Sequence, residues 1–127
     1  MIYDNFIREV LLGATSLTFV FFALWAIFKP NSLANTLGYQ LNNNNAISEF
    51  HAIYIGVFIS QSILCVLAFI RIEDAMIGNL VAVFLLSQPL GRIIAMFRGG
   101  SATGLLKLLF AAEIVAGLML LLVQPSA

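Results

Sequence analysis

The run VLLGATSLTFVFFALWAIF, residues 10–28, contains 19 consecutive residues and no charged side chain. A membrane-spanning helix needs about 20 mostly apolar residues, because each residue adds about 1.5 Å across a hydrocarbon layer about 30 Å thick. Lys29 and Pro30 follow the run directly. Proline ends a helix and lysine prefers the headgroup region, so the run predicts a transmembrane helix that stops at residue 28.

The residues before this run do not resemble the start of a cleaved signal peptide. Asp4 and Glu9 flank Arg8, and no Ala-x-Ala site follows the apolar run. Signal peptides begin with a net positive charge and have a shorter apolar region. We therefore expect the first helix to be retained as a membrane span.

Three further apolar runs have the length of a span: 50–70, 75–96 and 105–123. Short polar connections separate the last three spans, which is typical of antiparallel neighbours. The sequence thus predicts one all-α domain, residues 1–127, folded as an integral membrane up-down four-helix bundle. A multi-pass protein with four spans has both termini on the same side of the membrane.

The composition of the chain agrees with this class. Apolar residues make up 61% and charged residues only 9%, whereas a soluble domain carries roughly 25% charged residues. Six basic residues balance six acidic ones, and the absence of a basic stripe argues against nucleic acid as a partner. Cys65 is the only cysteine, so an internal disulfide is excluded. We predict no metal site and no cofactor.

The longest connection covers residues 29–49. Its apolar segment 33–39 predicts a short half-buried helix at the membrane interface. The four asparagines at 42–45 predict a solvated loop.

Charged residues within or beside the spans are the candidates for a site, because an ionisable side chain inside the bilayer is normally paired or functional. Arg92 lies near the end of the third span, and Glu113 lies about 12 Å into the fourth. Glu49 opens the second span. These three positions fall in the same leaflet of an up-down bundle, so we expect their side chains to converge, with Gln88 one turn from Arg92.

Two interpretations of this cluster remain open. One arginine neutralised by carboxylates can simply hold helices together. Alternatively, the cluster lines a polar pocket, and two carboxylates against one arginine leave a net charge of −1 that suits a proton, a cation or an amine. In that case we expect Glu49→Gln to fold normally and to lose the cellular role.

His51 and Tyr54 are predicted to share a different face of the second helix with Gln61 and Cys65. This spacing resembles a proton relay, since histidine titrates near neutrality. A lone histidine is more often held by a hydrogen bond to a neighbour. The sequence identifies no catalytic residue, and the predicted pocket residues are Glu49, His51, Tyr54, Gln88, Arg92 and Glu113.

The motif EFHAIYIG at 49–56, the pair Gly91–Arg92 and Glu113 together resemble the membrane family called domain of unknown function 4345. The resemblance covers nearly the whole chain. It implies four transmembrane helices, a charge cluster and a location in the bacterial inner membrane. It implies no chemical activity.

Three functions are compatible with the sequence. The first is a non-catalytic binding or accessory subunit, with membrane lipids and a larger membrane complex or a homo-oligomer as partners. The second is a small oligomeric proton-coupled transporter with Glu113 as its coupling carboxylate. The third is a membrane enzyme on a lipid or sterol-like substrate, with Glu49, His51 and Glu113 as acid and base.

Overall fold

A computed structural model of the chain describes residues 1–126. Ala127, the last residue of the predicted domain, lies outside the described residues. The elements follow one another in this order: β1 (Ile2–Tyr3), α1 (Asn5–Phe28), α2 (Pro30–Leu37), α3 (Asn44–His51), a π-helical segment (Ala52–Val57), α4 (Phe58–Ile70), α5 (Ala75–Phe97), α6 (Leu105–Leu122) and β2 (Val123–Gln124). α3, the π-helical segment and α4 form one continuous span, Asn44–Ile70.

The four long apolar helices form the predicted all-α bundle. Each is long and apolar enough to cross a membrane. α1 packs along α4, α4 against α5, and α5 along α6. Large apolar side chains cover the outside, including Phe28, Phe97 and Leu108. A soluble monomer rarely exposes apolar surface of this extent, so the chain is a multi-pass membrane protein.

Side-chain caps decide where three of the helices begin. The carboxylates of Asp4 and Asp74 and the amide oxygen of Asn43 each accept a hydrogen bond from a backbone N–H in the first turn, at 2.8–3.1 Å. Such caps satisfy N–H groups that have no partner within the helix. The loop predicted at 42–45 is therefore wrong in part, because Asn43 caps α3 and the next two asparagines belong to it.

The long connection contains a short helix, as predicted, but this helix, α2, covers Pro30–Leu37 and not residues 33–39. Leu33, Ala34 and Leu37 are buried, and α2 lies against α1. Gly38 ends the helix with φ of 90°. Glycine reaches this left-handed conformation without the steric cost that a side chain adds.

The ends of the chain meet in a two-residue parallel strand pair that the sequence does not predict. Ile2 lies opposite Val123, and Tyr3 opposite Gln124. The N–H of Asp4 then donates to the carbonyl of Gln124 at 3.0 Å. Both ends of the described chain consequently lie at one end of the bundle, as four spans require.

Candidate functional site

Arg92 of α5 and Glu113 of α6 form the ion pair that the sequence predicts. Nη1 of Arg92 donates to Oε1 of Glu113, and Nη2 donates to Oε1 of Gln88 at 3.5 Å. The side chains of Arg92 and Glu113 are only 19% and 9% exposed. A pair this far from water is screened weakly, so the two charges hold α5 and α6 together.

Small residues on α6 allow this contact. Gly117 lies one turn after Glu113 and is buried. A Cβ atom built on Gly117 would stand 2.6 Å from Cγ of Leu86. The absence of a side chain there lets α6 approach α5 closely, as small residues do in membrane helices.

The third predicted member of the cluster, Glu49, is not part of it. Its side chain is exposed, and within residues 1–126 it forms no ion pair and no side-chain hydrogen bond. Gly56 and Ser60 of the same span are also exposed. The predicted surplus of negative charge is therefore wrong, and the buried pair is neutral.

The buried side of the second span explains why the prediction for Glu49 is wrong. Phe50, Tyr54 and Phe58 lie about one turn apart and are all buried, on the side of the span that Cys65 also occupies. Glu49 precedes Phe50 by one residue, which turns it about 100° around the helix from Phe50 and away from this side. The π-helical segment Ala52–Val57 lies within this stretch and contains the buried Tyr54.

The buried aromatic residues form a continuous column. The ring centroids of Phe50 and Tyr54 are 4.7 Å apart, those of Tyr54 and Phe58 are 5.1 Å apart, and Phe19 of α1 contacts Phe58 edge-to-face at 4.9 Å. The hydroxyl oxygens of Tyr54 and Tyr39 are 3.3 Å apart. This column fastens the second span to α1.

The predicted relay from His51 is not assembled. Tyr54, Gln61 and Cys65 are buried on one face of the span, but Nδ1 of His51 lies 2.7 Å from the carbonyl oxygen of Ile47 in its own helix. The acid and base set suggested for an enzyme is also dispersed, because only Glu113 of that set is buried.

A cavity of about 210 Å³ lies where α1 faces α6 and reaches the ion pair. Along α1 its lining residues recur every three or four positions from Leu11 to Phe22, and along α6 from Leu109 to Ala116. Such spacing marks one face of each helix. These two faces oppose each other, yet α1 and α6 make few contacts, so the space between them is left unfilled.

The lining of this cavity is mostly apolar. Its residues are Leu11, Ala14, Thr15, Thr18, Phe19, Phe22, Phe58, Leu85, Gln88, Leu109, Ala112, Glu113 and Ala116. Of the predicted pocket residues, Gln88 and Glu113 belong to the lining and Arg92 contacts both. Tyr54 lies one turn from Phe58, while Glu49 and His51 are elsewhere. The binding role of all six stays a prediction.

A second buried arginine, Arg8, is missing from the predicted site residues. It is 1% exposed. Nη1 donates to the carbonyls of Leu120 and Val123 at 2.6 and 2.7 Å, and Nη2 donates to the carbonyl of Ala75 and to Oδ1 of Asn79 at 3.0 and 3.2 Å. Within residues 1–126, Arg8 has no carboxylate partner within 4 Å.

Arg8 joins three helices at the end of the bundle where the termini meet. The carbonyls of Leu120 and Val123 lie at the end of α6. The last carbonyls of a helix have no partner within the helix, and a cation near this end of a helix is favourable. Two signals in the sequence mark Arg8 as buried: Asp4 caps α1 one turn earlier, and Arg8 is in phase with the buried Leu12 and Ser16.

The fold and the ion pair define a class of four-span membrane protein with a buried charge pair beside an apolar cavity. Within that class, the model of a domain of unknown function (DUF4345) matches residues 7–124, and the chain belongs to this family. The resemblance carried by residues 49–56, 91–92 and 113 is confirmed. No curated protein and no solved structure matches the chain.

Proposed function

We propose that this protein is a non-catalytic binding protein that takes up a lipid-like molecule in the cavity between α1 and α6. One observation carries the proposal: an apolar space inside a membrane bundle extends to a buried, neutral ion pair. Ligand sites in proteins combine a mostly apolar lining with a few polar groups that orient the ligand.

The size of the cavity limits its occupant. An apolar cavity of about 150 Å³ holds benzene, while sites for drug-sized ligands measure about 300–1,000 Å³. At about 210 Å³, the space accommodates a small ring or a section of a hydrocarbon chain. A whole phospholipid does not fit within it.

The cavity is accessible from the side of the bundle. Ala14, Thr18 and Ala112 belong to its lining and are exposed. Because these side chains are small and lie on helices that cross the bilayer, they leave an opening between α1 and α6 towards the lipid. A ligand can therefore enter from the hydrocarbon layer without crossing water.

A supporting role in a membrane assembly is part of this proposal. Within the described residues, the lining contains no histidine and no cysteine, and the hydroxyls of Thr15 and Thr18 donate to carbonyls of their own helix. These features favour binding over chemistry. We place the protein in a bacterial inner membrane, in contact with lipids and with a larger complex or further copies of itself.

Native mass spectrometry of the protein purified in mild detergent tests this proposal. Ala112→Trp fills the opening, whereas Ala111→Trp adds the same side chain on an exposed position outside the lining. We expect the wild type and Ala111→Trp to retain a lipid adduct and Ala112→Trp to lose it, with equal thermal stability of the two variants. Equal adduct on all three proteins contradicts the proposal.

Transport is a second candidate function, because the carboxylate of Glu113 lines the cavity. A buried carboxylate beside a membrane cavity can couple proton movement to ligand movement. This function predicts uptake into proteoliposomes that depends on a pH gradient and disappears in Glu113→Gln. Ligand retention without gradient-driven uptake supports the binding protein instead.

A further inference from the structure

Two polar atoms beside the cavity remain without a partner. Oε1 of Glu113 accepts from Arg92, but the second carboxylate oxygen of Glu113 has no hydrogen bond within residues 1–126. The amide nitrogen of Gln88 has none either. Neither atom is fully sealed, because Oε1 of Gln61 is the one fully buried side-chain oxygen or nitrogen without a partner in the described chain. Glu113 and Gln88 therefore present one acceptor and one donor to a ligand.

The charge of the site restricts the group that meets these two atoms. The charges of Arg92 and Glu113 cancel, and Glu49 is not part of this ion pair. The site therefore has no net charge that would balance the charge of a ligand. A charged group taken out of water without a counter-charge is strongly disfavoured. The matching group is consequently neutral, and it both donates and accepts a hydrogen bond.

A hydroxyl group meets this description, because it carries one donor and two acceptor positions. Resting on the proposed binding function, we propose that the cavity takes a neutral, hydroxyl-bearing lipid of the bilayer. Its hydroxyl donates to the second oxygen of Glu113 and accepts from the amide of Gln88. Its hydrocarbon lies along the apolar faces of α1 and α6.

Three photoreactive probes with the same five-carbon chain and a diazirine at its far end test the head group. One probe carries an alcohol, one a carboxylate and one an amine. In the wild-type protein in lipid nanodiscs we expect the alcohol to label residues 11–22 and 109–116. Half-maximal labelling by the alcohol should need at least about tenfold less probe than labelling by the carboxylate or the amine.

Two single variants should switch this preference. Glu113→Gln leaves the positive charge of Arg92 without a counter-charge, so the carboxylate probe should become the best ligand. Arg92→Gln leaves the negative charge of Glu113, so the amine probe should become the best. The double variant Arg92→Gln/Glu113→Gln is neutral again and should prefer the alcohol. It serves as the test if a single variant does not fold.

The outcomes separate this inference from the proposed function. Equal labelling of the cavity by all three probes in the wild type, still blocked by Ala112→Trp, overturns the hydroxyl assignment and leaves the binding function standing. A preference for the alcohol that persists in both single variants also overturns it. No labelling of the cavity by any probe overturns the binding function itself.

Discussion

The two buried arginines of this protein lie in opposite environments. Arg8 is enclosed where the termini meet, and both of its terminal nitrogens donate to neutral oxygens, three of them backbone carbonyls. Arg92 lies near the other end of the bundle, is 19% exposed, and pairs with a carboxylate at the edge of a cavity.

This difference separates a residue that holds the fold from one that belongs to a site. Both terminal nitrogens of Arg8 already donate to oxygens of the protein, and Arg8 is only 1% exposed. The pair of Arg92 and Glu113 leaves an oxygen unused and faces open space. A buried charge thus indicates binding only where polar atoms remain free for a ligand.

The largest effect is expected at Arg8. Arg8→Ala removes four hydrogen bonds from a charged donor, each worth about 1.5–3 kcal/mol. We expect the free energy of unfolding to fall by more than about 4 kcal/mol. Arg71→Ala is the control, because Arg71 is exposed at the same end of the bundle. Denaturation in detergent checks both variants, and equal losses contradict the role given to Arg8.

A smaller loss is expected for Arg92→Ala. Breaking a buried pair by removing one partner costs about 3–5 kcal/mol, and we expect about 3 kcal/mol here because Arg92 retains some exposure. Replacing Arg92 and Glu113 together by apolar residues should restore much of that loss. If unfolding shows the double variant to be as unstable as the sum of the single variants, the two residues are not coupled.

Two glycines of α5 should respond with opposite signs. A Cβ atom on Gly78 would overlap Nη2 of Arg8, whereas nothing lies within 4 Å of a Cβ atom on Gly91. Gly78→Ala should destabilise by about 1–3 kcal/mol through overpacking. Gly91→Ala should be neutral or stabilising by up to about 1 kcal/mol, since alanine favours a helix. A melting temperature of Gly78→Ala that is as high as that of Gly91→Ala would show that Arg8 can move aside.

The smallest effect is expected at Glu49. Its exposed side chain has no ion pair within residues 1–126. Glu49→Gln should therefore change stability by no more than about 0.5 kcal/mol and leave binding of the alcohol probe unchanged. A clear loss of binding would restore the pocket that the sequence predicts around Glu49.

The spans were predictable because a bilayer demands long apolar runs, and all four runs are helical in the structure. The ends of the helices were less predictable. α1 begins at Asn5 and the second span at Asn44, since Asp4 and Asn43 cap them within polar sequence. A hydropathy pattern does not contain this information, although the capping residues do.

The candidate site was predictable only in part. A charged side chain inside a bilayer is normally paired, so the sequence predicts that Arg92 pairs with Glu113. This contact is present. The prediction for Glu49 is wrong because the second span buries the side that carries Phe50 and Tyr54, and Glu49 lies on the exposed side. The phase of Arg8 with Leu12 and Ser16 indicates its burial, but not its partners, because three of its four acceptors are backbone carbonyls of distant residues. The cavity depends on the distance between α1 and α6, which is set by tertiary packing and cannot be read from the sequence pattern.

The most direct test of a ligand site between α1 and α6 is diffraction from crystals grown in a lipid phase with a five-carbon alcohol that carries a terminal bromine. We predict one anomalous bromine peak between residues 11–22 and residues 109–116, and a hydroxyl within hydrogen-bond distance of Glu113. Bromine confined to the outer surface, with α1 packed directly on α6, would contradict it.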